Sequence, residues 1–279
     1  MTKELPINQI IVGDSLEVMK GWPDGCVDLV LTSPPYGTLR EYKGFRFNFE
    51  GIAGQLFRVI KPNGVLVWVV GDEVQDGSES CESFRHALLF RDIGFSLHDT
   101  MIYWKNVFAF PESTRYAQVF EYMFVLSKGS PATTNIIRVP TYARYRVVQK
   151  ATSYRQKDGK TSKIQYSSGH DARNMENIWV YDAGFNKSTK DTCAYQHPAI
   201  FPDRLAEDHI VSWSQVREIV MDPMSGSGTT CIAAKKLGRR YVGIDISPEY
   251  CQIARSRLEA VDTGVPLKEA QKGQGALWP

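Results

Sequence analysis

Two apolar runs, each ending in a turn of small or cyclic residues, constrain this chain more than any other feature. The first, Val27-Asp28-Leu29-Val30-Leu31, leads into Ser33-Pro34-Pro35-Tyr36. The second, Ile219-Val220-Met221, leads into Asp222-Pro223-Met224-Ser225-Gly226-Ser227-Gly228-Thr229-Thr230. A short continuous apolar run bounded by turn residues reads as a buried strand, and such strands belong to parallel sheets covered on both faces. In open parallel sheets, ligands collect beyond the carboxyl ends of the strands, where both turns lie. One turn offers a proline-stiffened ledge of carbonyls under an aromatic ring. The other offers small residues that let a ligand approach the main chain. Only a sheet that reunites both ends of the chain brings Tyr36 and Gly226 together across 190 positions.

The rest of the chain supports such a sheet. Over the first 130 residues strand and helix signals alternate, as they do in a parallel sheet with helical crossovers. Strands are expected at 9–12, 27–31, 65–70, 99–104 and 120–126. Helices are expected at 16–20 with Ser15 as cap, at 52–60 ahead of Pro62-Asn63-Gly64, and at 82–92 with Phe84, Leu88 and Leu89 on one face. From Thr133 to Tyr195 the periodicities fade, and basic residues interleave with aromatics (Tyr142, Tyr145, Tyr154, Tyr166, Trp179). Order returns with a helix at 202–213, a strand at 218–221, a helix at 229–237, a strand at 240–246 and a last helix from Ser247-Pro248. That last helix carries Ile253, Ala254, Leu258 and Val261 on one face. The polar, Gly-rich tail from Asp262 is expected to fray.

Net charge is +2, too mild to announce a polyanionic partner. Its distribution is more telling. Eleven Lys and Arg stand against five acids between Thr133 and Tyr195, so that segment carries +6 and the remainder −4. The five cysteines (Cys26, Cys81, Cys193, Cys231, Cys251) have no Cys-x-x-Cys spacing, and the five histidines do not pair at ligand spacing. These fit free thiols and no metal. The longest apolar run, Val65 to Val70, is far too short to span a membrane. A cytoplasmic protein is expected.

The second turn invites a test against known ligand loops. Cys231 stands where a dinucleotide fingerprint has its third glycine, and the lysine of a phosphate-binding P-loop is missing, so nicotinamide and ATP sites are disfavoured. What remains is a turn whose amides, with the helix N-terminus at Thr229-Thr230, suit a carboxylate. Asp245 ends the strand Tyr241-Val242-Gly243-Ile244 and lies 23 residues after Asp222. An acid there can accept from both hydroxyls of a ribose, although taken alone it would read as a helix-capping acid.

Taken together, the two turns resemble the target-base and S-adenosylmethionine sites of the DNA amino-methyltransferases, which methylate exocyclic amines of cytosine or adenine. With the base site first and the cofactor turn later, the order resembles their permuted β-group. The resemblance implies an α/β, Rossmann-like methyltransferase sheet, mostly parallel with helices on both faces, in circularly permuted motif order. By matching motifs, Asp14 of Gly13-Asp14 meets the adenine amino group of the cofactor and Ile246 packs on the adenine. Phe201, within His197-Pro198-Ala199-Ile200-Phe201-Pro202, packs on the methionine moiety, and the turn Asp222, Pro223, Met224, Gly226, Gly228, Thr229 and Thr230 cradles the rest. Met224 stands where phenylalanine is usual, and a flexible thioether can fill that space. Arg58 to Gly64 resembles a structural turn of the fold.

At the base site the resemblance implies that Ser33, Pro34, Pro35 and Tyr36 act on a base flipped out of duplex DNA. Tyr36 stacks on the ring, while Ser33 Oγ and the Pro34 carbonyl each take one N–H of the amine. Transfer then depends on positioning and electrostatics and needs no strong base and no covalent adduct. Serine at position 33 favours cytosine N4, with adenine N6 as the alternative. A catalytically silent DNA-binding protein that keeps the fold is the rival of another class. The expected organisation is 1–132 as the N-terminal core, 133–195 as a target-recognition insertion, 196–261 as the C-terminal core and 262–279 as tail. Arg138, Arg144, Arg146 and Arg155 of the insertion, with Arg40, Lys43 and Arg46 just beyond Tyr36, are candidate DNA contacts. Double-stranded DNA is the expected partner, a cognate restriction endonuclease a further candidate, and the state a monomer or homodimer.

Overall fold

The apolar runs become strands of one eight-stranded sheet in the computed structural model, which describes residues 4–35, 47–106, 114–140, 152–164, 172–184, 187–189, 191–197, 200 and 202–263. The strands in chain order are β1 (Gln9–Val12), β2 (Val27–Thr32), β3 (Ile60–Val70), β4 (Val74–Gln75), β5 (Ser78–Glu79), β6 (Ser96–Lys105) and β7 (Phe120–Ser127). They continue as β8 (Arg138–Pro140), β9 (Thr152–Arg155), β10 (Thr161–Ile164), β11 (Ala172–Asn174), β12 (Ile178–Tyr181), β13 (Ile219–Asp222) and β14 (Arg240–Asp245). The helices are α1 (Ser15–Lys20), α2 (Phe49–Val59), α3 (Glu82–Ile93), α4 (Asp203–Trp213), α5 (Thr229–Lys236) and α6 (Pro248–Thr263).

Across the main sheet the order is β1-β14-β13-β2-β3-β7-β6-β12. Every neighbouring pair is parallel except those made by β7, which runs antiparallel to both β3 and β6. The first three helices pack against one another, as do the last three, which gives the sheet a helical layer on either side. From Val65 to Val70 every residue of β3 is buried, as a strand covered on both faces must be. Leu66, Trp68 and Val70 share one core with Leu56 and Val59 of α2 and Phe90 of α3.

Chain order and sheet order diverge at one place. β2 returns through α2 to β3 on one side, whereas β13 returns through α5 to β14 on the other, so β13 and β2 flank the switch point of the sheet. Their pairing, Val220 with Leu29 and Met221 with Val30, joins the two ends of the chain.

Three expectations change. The buried face of α3 is Ser83, His86, Ala87 and Phe90, while Phe84 and Leu88 are 48% and 59% exposed. Polar partners decide this: Trp68 Nε1 donates to His86 Nδ1 at 3.2 Å, and the Ser83 amide donates to Asp72 Oδ1 at 3.0 Å. The cap of α1 is Asp14, whose carboxylate accepts from the Glu17 amide, and Ser15 is buried inside the helix start. The region 133–195 also divides. Residues Ile136–Glu176 form a compact unit of their own, whereas Ile178–Tyr181 adds the parallel edge strand β12 to the main sheet beside β6. In that smaller unit β8 pairs with β11, and β9 with β10 makes a hairpin. The last helix reaches Thr263, and the tail beyond it lies outside the described residues.

Candidate active site at the carboxyl ends of the parallel strands

Four adjacent strands, β1, β14, β13 and β2, deliver the expected residues at one edge of the sheet. Asp14 follows β1, Asp245 closes β14, Asp222 closes β13, and Ser33-Pro34-Pro35 follows β2. Nothing in local sequence spacing unites them. The parallel pairing does, because parallel strands end on the same side.

A hydrogen bond ties the two turns together. Thr32 Oγ1, the last residue of β2, donates to Asp222 Oδ1 at 2.7 Å, and the same oxygen accepts from the Met224 amide at 3.1 Å. Asp222 was expected to face a ligand, yet its carboxylate points into the protein, only 2% exposed. Burial pushes that carboxyl up to about 6, against the pull of its hydrogen bonds. Ser15 extends the fastening, its hydroxyl donating to the Pro223 carbonyl.

The glycines of the turn are needed where they stand. Gly226 and Gly228 have φ of +48° and +84°, in the left-handed region that side chains disfavour. A Cβ on Gly226 would lie 2.8 Å from His197 Nε2, and one on Gly228 would lie 2.7 Å from Ala254 Cβ. Gly226 therefore keeps the turn open to the His197 segment, while Gly228 lets α6 pack directly beneath. Neither threonine that follows presents its hydroxyl outward. Thr230 Oγ1 donates to the Leu31 carbonyl at 3.2 Å, and Thr229 Oγ1 accepts from Arg257 at 3.4 Å. What α5 offers a ligand is its first-turn amides, which have no intrahelical acceptor.

Asp245 sits at the centre. Its Oδ2 accepts from the Gly226 amide at 2.8 Å and its Oδ1 from the Ser247 amide at 2.9 Å. The Ile246 amide also bonds this carboxylate, and three amides do not exhaust its acceptor capacity of about four lone pairs. Burial nonetheless raises its proton affinity. The last helix is capped by Ser247, whose hydroxyl accepts from the Tyr250 amide at 3.4 Å, while Asp245 closes the tight turn just ahead of it. Ile246 beside it is half-buried and Met224 packs against the core. The hydroxyl of Ser225 is buried in this turn with no partner among the described residues. An unpartnered buried hydroxyl in this turn is what a polar ligand would complete.

Of the remaining expected residues, Pro34 is buried and Ser33 and Pro35 are half-buried. Tyr36, Phe201, Arg40, Lys43, Arg46, Arg144 and Arg146 lie outside the described residues. Arg138 and Arg155 are exposed in the smaller unit, where Arg138 Nη2 donates to the Ala172 carbonyl at 2.8 Å and Arg155 Nε to the Gly159 carbonyl at 3.3 Å. Sequence reasoning missed Thr32, Ser15 and Arg257. The first two are small hydroxyls without a motif, and an arginine on a helix reads as solvated.

A family profile of DNA methylases matches residues 27–256. The orphan methyltransferase M.BamHII of Bacillus amyloliquefaciens is 46% identical over 260 residues, covering 92% of this chain and 96% of that protein. The type II methyltransferase M.BglII of Bacillus subtilis is 28% identical, over 89% of this chain and 68% of its own. Among solved structures, a Thermus thermophilus protein described as a putative DNA modification methylase, complexed with S-adenosyl-L-methionine, superposes with a TM-score of 0.63 at 25% identity. It aligns over 92% of this chain and 97% of that one. The PvuII cytosine-N4-specific DNA methyltransferase shares the fold, with a TM-score of 0.65 at 19% identity over 89% of this chain and 85% of its own.

Proposed function

Because this chain belongs to the N6/N4 family of DNA methylases, by a match over residues 27–256 and 46% identity along nearly the whole of a relative, we propose that it methylates cytosine at N4 within a specific duplex sequence. It is a site-specific DNA amino-methyltransferase that uses S-adenosylmethionine. The choice of cytosine N4 rests on Ser33 at the head of the base-site turn.

The observation that carries the reading is the hydrogen bond from Thr32 to Asp222, which joins the Ser33-Pro34-Pro35 turn to the Asp222–Gly228 turn at the switch point of the sheet. S-adenosylmethionine supplies a methyl group on a sulfonium, electrophilic without acid assistance. Asp245 would accept from its ribose hydroxyls and the first amides of α5 would take its carboxylate, with the orphaned Ser225 hydroxyl in the same turn. Asp14 and Ile246 would hold the adenine, and Phe201 the methionine chain. At the other turn, Ser33 Oγ and the Pro34 carbonyl each accept one N–H of the extruded amine and turn its lone pair out of conjugation. Tyr36 stacks on the ring. The chain would supply position and dipoles: the new N–C bond would form as the sulfonium C–S bond breaks, and the surplus proton of the methylated amine would pass to water only after transfer.

The basic segment, with Arg138, Arg144, Arg146 and Arg155, and the stretch with Arg40, Lys43 and Arg46 grip the DNA. The relative from Bacillus amyloliquefaciens is named an orphan methyltransferase, and by that likeness this enzyme works without a dedicated endonuclease. Duplex DNA incubated with the protein and S-adenosylmethionine, then digested to nucleosides and resolved by mass spectrometry, is expected to yield N4-methylcytosine. Tyr36→Ala should abolish it while the fold survives. N6-methyladenine would move the target to the other base, and unmodified DNA would leave the fold as a silent binder.

A further inference from the structure

Arg257 is fully buried in α6, on the same helix face as Cys251, Ala254 and Leu258. An apolar residue would suit that face. Burying an isolated cation costs several kcal/mol, and replacing a buried ion pair by well-packed apolar groups is often neutral or stabilising. The guanidinium is therefore placed for what it holds.

It holds three pieces of chain. Nη1 donates to the Ser227 carbonyl at 2.7 Å, to Ser227 Oγ at 3.2 Å and to Thr229 Oγ1 at 3.4 Å. Nε donates to Asp191 Oδ2 at 3.0 Å, and Nη2 reaches Thr189 Oγ1 at 3.4 Å and Asp203 Oδ1 at 3.5 Å. The first set belongs to the cofactor turn. The second lies on either side of the segment 192–202, so one cation clasps both ends of that segment.

Two further contacts give the clasp a purpose. The Gly228 amide donates to the Ser225 carbonyl at 2.7 Å, on the opposite side of the peptide whose carbonyl Arg257 holds. In a planar trans peptide these groups point apart, so the Ser227–Gly228 unit is gripped at both ends. Within the clasped segment, the His197 ring lies against Gly226 and 4.4 Å from the Tyr250 ring, centroid to centroid. His197 thus lies against the same turn.

We propose that Arg257 is a positioning residue for the cofactor. It sets the turn Ser227–Thr229 and fastens Thr189, Asp191 and Asp203 beside it in the geometry that receives S-adenosylmethionine. This rests on the reading of that turn as the cofactor site. The residue touches no reacting atom, so it should govern cofactor affinity and leave the chemical step alone.

The test uses the full chain with Arg257→Met, Arg257→Lys and Asp191→Asn. Binding of S-adenosylhomocysteine is measured by titration calorimetry without DNA, and folding by circular dichroism and thermal melting. Arg257→Met is expected to bind at least tenfold more weakly, Arg257→Lys to recover part of the loss, and Asp191→Asn to lose less in the same direction. In turnover, KM for S-adenosylmethionine should rise while kcat at saturation and KM for DNA hold within about twofold. If Arg257→Met does not fold, Asp191→Asn decides, because it loosens one tether and leaves the cation paired with Asp203. Folded variants that bind as tightly as wild type, or that lose kcat and DNA affinity in equal measure, overturn the proposal. A wild-type chain that binds no S-adenosylhomocysteine overturns instead the reading of the turn itself.

Discussion

Asp222 is a carboxylate placed where ionisation is expensive, and its surroundings make that cost measurable. In the unfolded chain it ionises near 3.8, in the folded one at about 6. As pH rises between those values the unfolded state loses its proton first, so stability falls across that window and is flat above it. His86 and His209 act with the opposite sign. Burial holds them neutral down to about 4 and about 3, so the unfolded chain takes up their protons first as pH falls below 6.5. A difference measurement isolates the carboxylate. Asn in place of Asp222 keeps an acceptor for the Thr32 hydroxyl and the Met224 amide. Urea unfolding of Asp222→Asn and wild type at pH 4 and pH 7 should move the difference by about 2 kcal/mol in the variant's favour, since one pKa unit is worth about 1.4 kcal/mol. An unchanged difference would mean that the carboxyl is not raised. Cofactor affinity should fall slightly at most, because the carboxylate faces inward.

Among the elements, the strands that lead into the two turns were legible because burial on both faces leaves nearly continuous apolar runs, and because Gly226, Gly228, Pro34 and Pro35 mark their ends. Helix α3 was misread for a complementary reason. Phe84, Leu88 and Leu89 make an apolar stripe as good as any core face, but the face that meets the sheet carries His86 and Ser83, whose partners Trp68 and Asp72 lie on β3 and in the loop that follows it. Polar core residues are invisible to periodicity, and Arg257 escaped notice in the same way. Strand β12 was hidden because four residues, Ile178-Trp179-Val180-Tyr181, mean little until β6 offers them an edge. The assignment of α3 can be checked by denaturation. Leu88→Ser should change stability by no more than about 0.5 kcal/mol, as exposed substitutions do. Phe90→Ala, at a fully buried ring packed edge-on against Phe49, Trp68 and Phe95, should cost about 3–5 kcal/mol. The reverse order of effects would restore the face read from the apolar stripe.

At the scale of the whole molecule, the site exists only because β13 and β14 from the end of the chain pair with β2 and β1 from its beginning. The sequence between those halves carries the charge. Within Ile136–Glu176 nine basic residues stand against three acidic ones, so that unit alone holds +6 in a chain whose total is +2. Residues 177–195 are balanced, which sharpens the basic segment to the boundaries of the compact unit. A charge gathered in one unit raises local affinity for a polyanion far more than the same charge spread over a surface. On the proposal that this unit meets DNA, replacing Arg138, Arg144, Arg146 and Arg155 by Gln removes up to four phosphate contacts. Each lost contact should flatten the plot of log affinity against log salt by about 0.9. Fluorescence anisotropy with a labelled duplex at several salt concentrations reads the slope directly. The binding of S-adenosylhomocysteine should be unchanged, because Asp245, Ser225 and the first turn of α5 lie in the other compact unit. A fourfold variant that kept its slope would remove this unit from the DNA interface, and one that lost cofactor binding would mean that its arginines support the fold of the core.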